Sequence, residues 1–193
     1  EVFPRLAGQN AEYIAKQLDG VTAPVAPIVA LSGPAERPEL VVTGMAVFKD
    51  GRMAGRLNPK QVNGFALLRG GVNSRPVEVT LPEGYAVVQL INLKSSAQPM
   101  LQGEEILLKA KVEGQFIIGE LQGFEGMDIN ALADLLEQEA AKAVAEEMRD
   151  CFEYSKMLRA DILGLGNDIQ QRHPDQWQAL VQNWEERYAR ISL

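Results

Sequence analysis

Two hydrophobic periods divide the chain. From residue 40 to about 123, apolar residues come in short runs bounded by Gly, Asn, Asp and Pro; from Met127 they recur every three or four residues. The first pattern predicts strands and the second helix. "LVVTGMAVFK" and "RMAGRL" flank Asp50-Gly51, a pair that predicts a tight hairpin. The return arm is short because Asn58-Pro59 follows at once. Asn58 is a natural helix cap and Pro59 suits a first helical position, and Val62, Phe65 and Leu68 then fall at helical spacing. "RPVEVTL" alternates, "PEG" turns the chain, and "YAVVQLINLK" and "EEILLKAKV" read as further strands. Glu113-Gly114 predicts another turn, into "QFIIGEL". Strands joined by short turns imply a mostly antiparallel sheet.

The later stripe runs through Ile129, Leu132, Leu136, Ala140, Val144, Met148, Cys151, Ser155, Leu158, Ile162, Leu165 and Ile169. It spans about ten turns of α-helix. The expectation is one very long helix, or two in nearly the same line with the break at Gly164 and Gly166. Asp128 can cap its start, and Pro174 requires it to end by His173. "PDQWQALVQNWEERY" predicts a last helix with Trp177, Leu180, Val181, Trp184 and Tyr188 on its buried stripe. "ISL" then turns extended.

Ahead of the strands, "QNAEYIAKQLDG" reads as a short helix capped by Asn10 and closed by Gly20. Pro24, Pro27, Pro34 and Pro38 exclude helix from the next stretch, which reads as an extended connector lying on the body. The expected division is therefore 1–37, the end of a preceding domain with its connector, and 38–193, a C-terminal domain. The fold class is α+β: a mostly antiparallel β-sheet packed by a long C-terminal helix, a final Trp-bearing helix, and a short helix after the first hairpin. There is no initiator Met or signal peptide, so "EVFPRLAGQN" reads as a cut end.

Composition narrows the function more than the fold. The 193 residues are 46% hydrophobic and 23% charged, an ordinary globular balance. The net charge of −7 argues against a nucleic-acid surface. Cys151 is the only cysteine, so no internal disulfide and no Cys-rich zinc site can form. No run approaches the roughly 20 apolar residues of a membrane span.

Candidate chemistry is sparse. His173, the only histidine, precedes a proline at a helix–helix turn, where a capping or solvated role suits it better than catalysis. Gly164 and Gly166 follow a helix rather than a strand and lack the Lys-Ser/Thr of a phosphate loop. Glu137, Glu139, Glu146, Glu147 and Asp150 lie mainly off the apolar stripe and read as a solvated face. Trp177 and Trp184, seven residues apart, face one way and read as core. Cys151 lies on the buried stripe and reads as inert. No catalytic, cofactor or metal residue is expected.

Two of these segments carry a resemblance. "GMAVFKDGRMAGRL" is similar to the opening of the C-terminal domain of the spore germination Ger(x)C proteins, which reads G-x-A-V-F-K, a turn, then x-x-G-x-L and a helix. "RADILGLGNDIQQRHPDQWQALVQNWEERY" resembles that family's second block, an Asp-Ile-Phe/Leu-Gly-x-Gly run followed by a Pro and two Trp. The matching positions are Gly44 and Gly55 in the first block. In the second they are Asp161, Ile162, Leu163, Gly164, Gly166, Pro174, Trp177 and Trp184. The resemblance covers about residues 40 to 193; the family continues into a further strand, whereas this chain stops at "ISL". It implies a non-enzymatic role: the C subunit of a nutrient germinant receptor, a lipoprotein at the outer face of the spore inner membrane. Its partners would be an integral-membrane A subunit and a transporter-like B subunit. The lipid-bearing Cys would lie upstream of Glu1 and would not be Cys151. The matched residues would be structural, with Gly44 and Gly55 serving backbone geometry. Two other readings stand beside it: direct binding of a small germinant molecule, or an enzyme acting on the spore envelope.

Overall fold

The computed structural model describes residues 21–34, 36–103 and 105–193. The helix expected over 9–20 lies outside them. Two three-stranded antiparallel sheets form the β part. The first contains β1 (Val25–Ser32), β2 (Glu39–Lys49) and β3 (Arg52–Leu57), in that order. The second contains β4 (Arg75–Leu81), β5 (Gly84–Gln102) and β6 (Glu105–Gly123). The proline-rich stretch is extended, as its prolines require. Part of it is the paired strand β1, with Val25 opposite Val47 and Ser32 opposite Glu39. Pro27 is tolerated there because β1 is an edge strand.

The Asp50-Gly51 turn has left-handed φ at both residues, 50° and 70°, as a type I′ hairpin requires. Both strands around it carry bulges. Thr43 is the extra residue of β2 opposite Ile28/Val29, and Ala54 is the extra residue of β3 opposite Val47/Phe48. Helix α1 (Pro59–Leu68) starts on a complete capping box. Asn58 Oδ1 accepts from the Gln61 amide at 2.9 Å, and Gln61 Oε1 accepts from the Asn58 amide at 3.0 Å.

β5 and β6 are each 19 residues long and make one hairpin. The turn expected at Glu113-Gly114 is not there; β6 runs through it opposite Ile91–Lys94, where the ladder has a bulge. Gly114 instead admits Leu93: a Cβ at residue 114 would sit 2.7 Å from Leu93 Cδ2.

Helix α2 (Ile129–Met157) is capped by Asp128, whose carboxylate accepts from the Asn130 and Ala131 amides. It ends well before Gly164. Arg159 takes φ 49°, the Arg159 amide donates to Lys156 O at 2.9 Å, and the Ala160 amide donates to Ser155 O at 3.0 Å. This is a Schellman closure with arginine, not glycine, at its left-handed position. The apolar spacing continues past the end because Ile162, Leu165 and Ile169 are buried from other elements. These are the connecting segment 158–164 and helix α3 (Leu165–Arg172). The last helix is broken into α4 (Pro174–Leu180), a 3-10 turn (Val181–Asn183) and α5 (Trp184–Tyr188). Two residues expected inside are outside, Ile129 and Val181, both exposed.

One core joins these parts. α1 touches both sheets, and α2 lies along α1 and against the second sheet. The α1–α2 approach is closest at Gly64, where a Cβ would overlap the Glu147 carbonyl oxygen and reach Cys151 Cβ at 2.9 Å. Glu147 is therefore not part of a solvated face. Its carboxylate pairs with the guanidinium of Arg75, a largely buried ion pair between α2 and β4. Glu146 and Asp150 do face out, and both reach Lys60, at 3.6 and 3.2 Å.

Candidate functional site

Asp161 is a buried carboxylate held by four N–H donors. The chain leaves α2 at Leu158, turns, and presents this carboxylate beneath the first turn of α3. Oδ1 accepts from the Gly164 amide (2.8 Å) and the Leu165 amide (2.9 Å). Oδ2 accepts from the Gly166 amide (2.8 Å) and from Trp184 Nε1 (3.2 Å). The residue is only 3% exposed, and burial pushes its carboxyl up to about 6 against the pull of these four N–H donors, which favour the ionised form. Gly164 adopts φ 80°, which turns the chain so that three successive amides converge on one side chain.

The two tryptophans close the far side. A Cβ on Gly166 would lie 2.8 Å from the Trp177 ring and 3.0 Å from the Trp184 ring, so a glycine is needed for both indoles to seat. Their rings meet edge to face at 5.1 Å. Trp184 continues to Tyr188, and Tyr188 to Phe152 of α2. Ser155 Oγ donates to the Phe152 carbonyl at 2.6 Å, leaving Tyr188 Oη to donate to Ser155 Oγ at 2.8 Å. Asp161, Gly164, Gly166, Trp177 and Trp184 thus form one hub. Pro174 starts α4 on the surface, and His173 is exposed between α3 and α4.

Gly44 and Gly55 lie elsewhere, in the first sheet. A Cβ at Gly44 would overlap the Leu57 carbonyl oxygen across the strand pair. At Gly55 it would meet Leu158 Cδ1 at 2.7 Å and Tyr154 Oη at 2.8 Å, where the end of α2 crosses β3.

A second feature has no local sequence signature. Between the β5–β6 hairpin and α2 lies an open groove of about 810 Å³. Leu90, Leu93 and Phe116 line the sheet side, Val144 and Met148 the helix side, and Arg149 is among the charged residues of the lining. β6 is an edge strand beside it, and Ile118 and Leu121 stay partly exposed on that strand. Ser192 makes a parallel bridge with Leu107 at one end of β6, which is the extended pairing of "ISL".

Among the described residues no cluster of His, Cys, Asp or Glu could hold a metal ion, and no helix is long and apolar enough to cross a membrane. Cys151 is buried and its thiol is pushed up to about 12 by burial alone. What the geometry defines is an α+β domain organised by a buried carboxylate hub.

Residues 43–193 match the family described as "Spore germination B3/GerAC like, C-terminal", and the chain belongs to that family. Its fold is similar to that in the crystal structure of the GerBC protein. The TM-score is 0.74 at 14% identity, covering 92% of this chain and 55% of that one. The chain thus spans about half the length of that relative. Comparison with curated proteins returned no match.

Proposed function

We propose that this chain is the C-terminal part of a germinant receptor C subunit, a non-enzymatic scaffold that works with the membrane-embedded A and B subunits. In the full protein an N-terminal lipid would hold it at the outer face of the spore inner membrane. Gly44, Gly55, Asp161, Gly164, Gly166, Pro174, Trp177 and Trp184 then serve the fold rather than chemistry, and residues 1–37 belong to the end of the preceding domain and its connector. The observation that carries the reading is how Asp161 is used. Both its oxygens accept two N–H donors each, which occupies the carboxylate's roughly four acceptor positions and leaves none to move a proton on a substrate. Family membership over 43–193 supports the germination role.

The test is a deletion of the gene, with germination followed as loss of optical density against a panel of nutrients. Loss of one nutrient response, restored by the full-length gene, together with co-purification of the A and B subunits, is expected. An unchanged response with no co-purification would overturn the proposal.

One observation favours a second reading, direct binding of a small molecule. The groove beside β6 falls within the few-hundred to roughly 1,000 Å³ range of ligand sites. Calorimetric titration of the domain with amino acids and sugars separates the two. No heat is expected from a scaffold; heat abolished by Val144→Trp, which fills the groove, would favour binding.

A further inference from the structure

Residues 21–24 cross the Asp161 hub just before β1 begins. Thr22 forms a parallel bridge with Asp161, and the Ala23 amide donates to the Asp161 carbonyl at 2.9 Å. Asn167 Nδ2 donates to Thr22 Oγ1 at 2.9 Å, and the Phe48 amide donates to the Pro24 carbonyl at 2.8 Å. Val21 rests on Gly166, whose missing Cβ would lie 2.6 Å from Val21 Cγ2. One residue therefore serves two sides. The backbone oxygen of Asp161 holds the incoming strap, while its side chain holds the start of α3 and the Trp184 indole.

The strap is not enclosed. It forms one wall of an open cleft of about 540 Å³, faced by the β2–β3 turn, Arg159 and residues 182–186. Yet Thr22 and Ala23 are buried against the hub, at 4% and 7% exposure. Segments held by few hydrogen bonds beside open space are those that open locally, below the free energy of global unfolding.

We propose that residues 21–24 are a latch that opens and closes as one unit with the Asp161 hub. Lifting the strap admits water to the carboxylate, frees the Gly164, Leu165 and Gly166 amides, and releases the Trp184 indole. The path of the chain into β1 and the packing of the aromatic cluster are thereby set together. The inference stands on this geometry alone and does not depend on the receptor reading.

Hydrogen exchange on the 193-residue chain tests it, with Thr22→Val removing the acceptor of Asn167 while keeping the side-chain shape. Losing one such hydrogen bond predicts about fivefold faster exchange at the Ala23 amide. The same factor is expected at the Gly164, Leu165 and Gly166 amides and at Trp184 Nε1–H, with the Val62 amide of α1 unchanged. Acceleration at Ala23 alone, at every amide including Val62, or nowhere, would overturn the latch. If the variant does not fold, the wild-type chain in low denaturant decides. A shared opening free energy for Ala23 and Gly166, below that of Val62, supports the latch, and separate values refute it.

Discussion

Asp161 sets two opposing effects against each other, and its pH response shows which wins. Burial raises the carboxyl from an ordinary 3.8 to about 6, while the four N–H donors pull it down. A carboxyl raised in the folded state binds its proton more tightly there than in the unfolded chain. Its ionised form therefore weakens the fold at neutral pH, and this penalty is relieved as pH falls through 6 toward 3.8. Between pH 7 and pH 5 the relief is on the order of 1 kcal/mol. Asp161→Asn removes the titration. It keeps an oxygen for the Gly164 and Leu165 amides but turns an NH₂ toward the Gly166 amide and Trp184 Nε1, two unmet donors that cost about 2–4 kcal/mol at any pH. Urea unfolding of both proteins at pH 7 and pH 5 isolates the Asp161 contribution, since the other carboxylates cancel in the difference. The expected result is a wild-type advantage that grows by roughly 1 kcal/mol on acidification. An advantage that shrinks below pH 6 would mean that the amide donors outweigh burial and that the carboxylate is held below its ordinary range.

The remaining predictions concern packing. Gly64→Ala should lower the melting temperature by about 10 °C, because the new methyl overlaps a backbone oxygen of α2 that cannot swing aside; an unchanged melting curve refutes the close approach. Gly44→Ala should cost about 2–3 kcal/mol and Gly55→Ala about 1, since the first meets backbone and the second only the ends of Leu158 and Tyr154. Equal urea midpoints for these two variants would contradict that order. Arg75→Met alone should cost about 3 kcal/mol by stranding the Glu147 carboxylate, whereas Arg75→Met with Glu147→Met should return to within about 1 kcal/mol of wild type. A double variant well below wild type in stability would make the ion pair a net stabiliser. Cys151, with its thiol pushed up to about 12, should be labelled by a thiol reagent at pH 8 only at the rate of unfolding; rapid labelling of the native protein would show that the site is open.

Some local chemistry was legible: the Asp50-Gly51 turn, the Asn58 cap with Pro59 after it, and the Asp128 cap act within a few residues, and each turns or starts its element where expected. The α2 terminus was not legible, because Arg159 occupies a left-handed position that sequence rules reserve for glycine, and the apolar spacing ran on through Ile162 and Leu165. Gly114 and Gly64 misled or escaped notice for a related reason. Each admits a distant group, Leu93 or the Glu147 backbone, and nothing beside it in sequence announces that neighbour. The Asp161 block stood out as a resemblance, but the role of its carboxylate did not. One of the four donors comes from Trp184, 23 residues on, and the strap that covers the site comes from the other end of the chain. The groove beside β6 combines residues of two strands and a helix and has no motif at all.

The Thr22–Asn167 hydrogen bond joins residues 145 apart. Such a contact closes a loop of about three-quarters of the chain, which costs more closure entropy than the hairpins or α1. During synthesis the strap leaves the ribosome long before Asn167 is made, so it can be seated only once the chain 145 residues on is present.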